Sequence, residues 1–245
     1  MTRVLLLPSP LLPRLSAERF ATALSARWWR LHRERVAVGI AAFPKPPPDG
    51  QAVLEVFRTS VAVERPDVVL THSNGGRFAA LAAPGIPVVH VDAALPAASG
   101  EELPMAPAPM LDRLAGLADD DGLLPPWSRW WAEEDVAAVL PDRTALAHLR
   151  EHEHRMPLSY FRSRLGAPVG WTEQPQAYLA FGGTYAEETA FAREHGWPTV
   201  VVDRAHHLHH LVAPDAVAAH VVDLVSRLGV ARVRSAPGRA GTPTE

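Results

Sequence analysis

Short apolar runs and amphipathic stretches alternate along the chain. Val4 to Leu7 is a compact apolar run closed by Pro8, Pro10 and Pro13, and Ser16 to Arg30 sets Phe20, Leu24 and Trp28 at helical spacing. Val36 to Phe43 reads as a second strand, the prolines from 44 to 48 as a loop, and Gln51 to Val63 as a second helix. Asp67 to Thr71 gives a third strand, Gly75 to Ala83 a helix of small residues, and Pro87 to Asp92 a fourth strand. Continuous apolar strands separated by helices predict a mostly parallel sheet covered on both faces, because parallel neighbours need crossovers and bury both sides.

From Pro96 to Pro175 the alternation stops, and prolines, acidic residues and Trp127, Trp130 and Trp131 replace it. This stretch is expected to be an insertion. Gln176 to Phe181 resumes the strand pattern, Ala186 to His195 is helical, Thr199 to Val202 is a last strand and Pro214 to Leu228 a last helix. The expected organisation is a single domain over residues 1–231 with the insertion at about 97–175. Residues 232–245, rich in Pro, Gly and Arg, are expected to be a flexible tail.

Composition narrows the class. At 245 residues, with 47% hydrophobic and 21% charged positions, the chain is long enough for one shielded core and has an ordinary globular balance. A net charge of −3 and the lack of a basic stripe interleaved with aromatics argue against nucleic acid as a partner. The first apolar run is too short for a secretory signal, and no stretch reads as a membrane span, so the expectation is a cytoplasmic protein, monomeric or homodimeric, off the membrane. With no cysteine, any nucleophile must be another residue type.

The segment from Val68 to Ala82 carries the sharpest chemistry. Here a strand runs through Thr71-His72-Ser73-Asn74-Gly75-Gly76 straight into a helix, the setting in which a tight turn exposes a serine hydroxyl. Ser73 also stands at a helix N-terminus, where free amides favour developing negative charge. The N–H of Asn74 is then the expected oxyanion donor. The bland alternative is a serine that only caps the helix. Thr71 stands where a glycine is usual. After the last strand, histidines 206, 207, 209 and 210 precede a helix opened by Pro214. A general base must come from such a loop. A metal reading of the four is weaker, since no carboxylate or cysteine spacing accompanies them.

In the order of its strands, its serine turn, its insertion and the His207-to-Pro214 spacing, the chain resembles the α/β-hydrolase superfamily. The resemblance implies a three-layer α/β fold with a mostly parallel sheet and a helical lid, with Ser73 as nucleophile and His207 as base, His206 second. The family's usual acid turn reads Phe181-Gly182-Gly183-Thr184-Tyr185 here, with Tyr185 at the acid position. Asp92, at the end of the fourth strand, is therefore favoured as the acid over Glu188 and then Asp203. The family's second oxyanion donor follows the first strand, where Pro10 offers no N–H, leaving Ser9, Leu11 or Leu12, with Leu11 preferred. In the lid, Trp127, Trp130, Trp131 and Tyr160 are expected to roof an apolar pocket, with His72 and His206 on its wall. The run from Arg150 to Arg155 reads as a solvated helix face. The implied activity is hydrolysis of an ester or thioester of an apolar or aromatic small molecule, with no cofactor and no metal. The alternatives are a non-hydrolytic lyase, cyclase or acyl-transfer enzyme of natural-product metabolism, or an inactive small-molecule binder.

Overall fold

The computed structural model describes residues 1–43 and 45–230; the expected tail at 232–245 lies outside them. The chain begins with β1 (Thr2–Leu7), α1 (Leu15–His32), β2 (Val36–Ile40) and α2 (Gly50–Glu64). Next come β3 (Val68–Ser73), a 3-10 helix (Asn74–Phe78), α3 (Ala79–Ala82) and β4 (Val88–Ala93). The segment between β4 and the next long strand is not featureless. It holds a small antiparallel ribbon of β5 (Leu103–Pro104) and β6 (Arg164–Leu165). It also holds the helices α4 (Ala108–Leu117), α5 (Glu133–Val139), α6 (Arg143–His152) and α7 (Leu158–Arg162). The chain then returns through β7 (Gln176–Phe181), α8 (Ala186–Glu194), β8 (Thr199–Val202), α9 (His209–Val212) and α10 (Pro214–Arg227).

Six strands form one sheet in the order β2-β1-β3-β4-β7-β8, every pair parallel. The period-2 geometry of a strand explains how this sheet feeds two cores. Val4, Leu6, Val68, Leu70, Leu179 and Phe181 face the side covered by α1 and α10, through Phe20, Leu24, Trp28 and Val221. Leu5, Leu7 and Val69 face the other side, against Phe57 of α2 and Phe78, where Trp130, Tyr160 and Phe161 of the intervening segment complete the cluster. The β4–β7 segment is thus packed into the second core rather than draped over it. Among the described residues, no helix is long and apolar enough to cross a membrane.

Three local expectations change. The second strand ends at Ile40 rather than Phe43. The helix expected over 75–83 is split, because its first turn is wound as 3-10 and only Ala79–Ala82 is α-helical. A Cβ on Gly75 would strike the Leu7 carbonyl oxygen, and one on Gly76 the Ala94 carbonyl oxygen, so the two glycines let this turn wedge between the ends of β1 and β4. The run from 150 to 155 is a helix face only as far as His152. Beyond it, Glu153 accepts from Ser128 N–H and Oγ, His154 Nε2 donates to the Pro10 carbonyl, and Arg155 clamps Asp119.

Candidate active site

Ser73 is the last residue of β3 and takes φ 54° and ψ −134°, a conformation that costs an L-residue about 1–3 kcal/mol and persists only when its surroundings impose it. Here they do. The following turn is wedged between two strand ends, and the Ser73 carbonyl accepts from Ala94 N–H at 3.1 Å. Thr71, the β-branched residue in place of glycine, is accommodated because its hydroxyl points into a buried polar chain. Gln176 uses its amide NH₂ on the Trp171 carbonyl, so its Oε1 accepts from His90 Nε2–H at 2.8 Å. The remaining His90 nitrogen, Nδ1, accepts from the Thr71 hydroxyl at 2.9 Å. Burial holds His90 neutral, its pKa pushed down to about 4.

Asp92 sits where the β3–β4 register slips: His72 pairs with Val91, but Ser73 pairs with Ala93. Asp92 is therefore the extra residue of a bulge, with φ 41°, and a bulge of this kind re-aims a side chain. The Tyr178 hydroxyl fixes the strand just beyond, donating to the Ala93 carbonyl at 2.6 Å and accepting from its N–H at 3.1 Å. The Asp92 carboxylate is fully buried. Its Oδ1 accepts from Phe181 N–H at 2.8 Å, and its Oδ2 accepts from His207 Nδ1–H at 2.7 Å. This fixes the tautomer of His207 and leaves its Nε2 as the free nitrogen. Of the three carboxylates weighed from sequence, Asp203 is exposed and Glu188 lies in the cavity wall, and only Asp92 is bonded to His207.

Behind His207, His72 donates Nε2–H to the His207 carbonyl at 3.2 Å and stacks on its ring at 4.8 Å between centroids, tilted by 22°. His210 lies 4.3 Å from His72. Burial keeps both neutral: it drives His72 well below its usual range and His210 down to about 3. Two expectations are corrected here. His72 backs His207 instead of facing the cavity, and His206 is exposed outside it. Histidines 206, 207 and 210 point to solvent, to Asp92 and into the core, so this stretch does not converge on a common centre. The metal-capable side chains that do cluster among the described residues are the exposed His148, Glu151 and His152 on α6.

Ser73 and His207 open on one cavity of about 1180 Å³. Trp127, Trp130 and Trp131 line it, as do Asn74, Leu11, Met105 and Phe161. Tyr160 is the third correction. It is fully buried, outside the cavity wall, while its neighbour Phe161 faces in, since consecutive helical residues point about 100° apart. Leu11 does reach the wall, but its N–H is turned to Ser9 Oγ at 3.4 Å, and the Leu12 N–H to the Ser9 carbonyl at 3.3 Å. Tyr185 lines the same cavity as Ser73, and its ring lies 5.5 Å from that of His207. Burial pushes its pKa up to about 12, so it stays a neutral donor. No direct Ser73–His207 hydrogen bond closes among the described residues. Sequence reasoning missed Arg77, a cation in the cavity wall one turn after Ser73, although it interrupts a run of otherwise small and apolar residues.

Solved structures share this arrangement of sheet and helices. An extracellular alpha/beta-hydrolase from a Paenibacillus species superposes with a TM-score of 0.69 at 14% identity, over 91% of this chain and 99% of that one. The chain has the α/β-hydrolase fold. The enol-lactonase from Burkholderia xenovorans LB400 matches α/β-hydrolase-fold residues over 92% of this chain and 91% of its own, with a TM-score of 0.56 and 15% identity. The bottromycin epimerase, solved with bottromycin bound, matches over 91% of this chain and 90% of its own, with a TM-score of 0.57 and 13% identity. No family model matches the sequence, and no curated protein matches it. What these likenesses give this α/β-hydrolase-fold chain is the fold, since identities this low carry no activity across.

Proposed function

We propose that this chain is a serine hydrolase acting on an ester or thioester of an apolar or aromatic small molecule. The observation that carries the reading is the buried Asp92–His207 pair, bonded at 2.7 Å, opening on the same cavity as a serine held at positive φ. His207 Nε2 takes the Ser73 proton as Oγ bonds to the acyl carbon; the carbonyl oxygen becomes the oxyanion. Its collapse breaks the bond to the leaving alcohol or thiol, which receives that proton from His207. Water then attacks the acyl-enzyme by the same route and releases the acid. The Asn74 N–H is the first oxyanion donor, and the Leu11 N–H serves as the second by giving up its long bond to Ser9. The segment between β4 and β7 acts as the lid, its tryptophans forming the apolar wall.

Fluorophosphonate labelling read by intact mass tests this. Labelling of the wild type, lost in Ser73→Ala and His207→Ala, is the expected result, and an unlabelled but folded wild type would overturn the reading. The engaged Leu11 and Leu12 amides favour a second reading, a non-hydrolytic enzyme that stabilises less charge on the carbonyl oxygen; under it, ligands bind but Ser73 does not label.

A further inference from the structure

Arg77 lies in the 3-10 helix directly after Ser73 and forms part of the cavity wall. Its guanidinium makes no hydrogen bond and no ion pair among the described residues, and its Nε is buried without a partner. Burial lowers its pKa from the usual arginine value, a sign that the charge is held partly out of water. Five N–H donors in a planar fork, unable to shed their proton, are an expensive thing to leave unpaired in a cavity wall.

Other charges line the same space, and they do not settle this cost. Glu187 and Asp135 are exposed and hydrated at the rim. Glu188 is close enough to act on Arg77 but forms no ion pair with it, and burial pushes its own carboxyl up. A carboxyl can relieve its burial by taking a proton; a guanidinium cannot. The group left unsatisfied in the wall next to Ser73 is a cationic donor, and what matches it is an acceptor with negative charge.

We propose that Arg77 is an anion subsite and that the substrate carries a carboxylate a few bonds from the carbonyl attacked by Ser73. The placement of that carbonyl rests on the hydrolase reading above; the anion subsite does not. Arginine–carboxylate recognition is planar and bidentate, so it orients the ligand as well as holding it. The tryptophans that line the same cavity then receive the apolar body of the same molecule.

Titration calorimetry of the Ser73→Ala protein with 3-phenylpropionate and its neutral counterpart 3-phenylpropionamide tests the subsite. The acid is expected to bind roughly 10- to 100-fold more tightly than the amide. Adding Arg77→Gln should remove that selectivity, and Arg77→Lys should keep part of it. Glu188→Gln leaves Arg77 in place and should tighten the acid several-fold, which keeps the test open if the Arg77 variants fail to fold. Equal binding of acid and amide, binding of neither, weaker acid binding in Glu188→Gln, or selectivity that survives in Arg77→Gln would overturn the subsite. Fluorophosphonate labelling separates the two claims: an unlabelled Ser73 with intact acid selectivity removes the hydrolase reading alone, and a labelled Ser73 without selectivity removes the subsite alone.

Discussion

Lowering the pH from neutral to about 4.5 forces protons onto histidines that the fold keeps neutral. His210 and His90 are the two whose folded pKa values are fixed by burial, at about 3 and about 4. Unfolded, both return to about 6.5. Their folded values are depressed, so below 6.5 the unfolded chain binds more protons than the native one, and stability falls as the pH drops through the window from 6.5 towards 4 and 3. Between pH 7 and 4.5 each contributes a loss of about 2.5 kcal/mol, or about 5 kcal/mol together, on the scale of a domain's whole stability. His72, also driven down by burial, adds to the loss in the same direction. Exposed carboxylates add to acid unfolding as well, but equally in any histidine variant.

His210→Phe isolates one share. The His210 ring packs edge-on against Phe20 and its Nδ1 is buried without a partner, so phenylalanine keeps the packing and removes the titrating group. Urea denaturation of wild type and variant at pH 7, 6, 5 and 4.5 gives the two stability curves. The variant is expected to be within about 1.5 kcal/mol of wild type at pH 7 and to lose about 2.5 kcal/mol less on the way to pH 4.5. Parallel curves would refute the argument that burial holds His210 neutral.

Asp92→Asn keeps an acceptor for Phe181 N–H but cannot hold the imidazolium of His207, and should slow fluorophosphonate labelling about 10³- to 10⁴-fold; a loss under tenfold would remove Asp92 from its role. Tyr185→Phe removes a neutral hydroxyl from the cavity wall but no hydrogen bond to Ser73 among the described residues, and should slow the same labelling less than about tenfold, at most the worth of one neutral hydrogen bond; a larger loss would give Tyr185 a part in activating Ser73. Gly76→Ala drives a methyl group into the Ala94 carbonyl, which is backbone and cannot step aside, and should cost about 3 kcal/mol in urea denaturation; a cost below about 1 kcal/mol would show that the turn is not wedged.

The strands were legible wherever a continuous apolar run ended at a turn residue: β7 and β8 fall on the residues read from sequence, because both are bounded by Pro, Gly or Asp. The turn after Ser73 was legible as a helix start but not as 3-10, since its winding is set by carbonyls of β1 and β4 that no local pattern contains. Of the helices in the β4–β7 segment, only the end of α6 was read from its own residues, the rest being implied by the resemblance as a helical lid without bounds. They are short, and their apolar residues are shared with cores more than 40 residues away in sequence, α4 and α7 with Leu5, Leu7 and Phe57, and α5 and α6 with Leu12, Leu208 and Leu211. The position of Asp92 was legible as a strand end; the bulge that turns its carboxylate to His207 was not, because it is a mismatch between two strands. Tyr160 and His72 were placed on the cavity because both are near residues that do face it, and helix rotation in one case and strand alternation in the other sends them elsewhere.

Histidines 206, 207 and 210, within five positions, carry different chemistry because each meets a different dielectric. His206 is hydrated, His207 is tied to a buried carboxylate, and His210 is sealed in the core with His72 against it. Were His72 charged, a proton arriving on His207 would meet a second cation within about 5 Å, and the imidazolium required by the proposed mechanism would be disfavoured by Coulomb repulsion in a poorly screened interior. Burial prevents this by keeping both rings neutral down to pH values far below neutrality. The sensitivity to acid and the absence of a competing cation behind His207 therefore have one cause, the burial of His72 and His210.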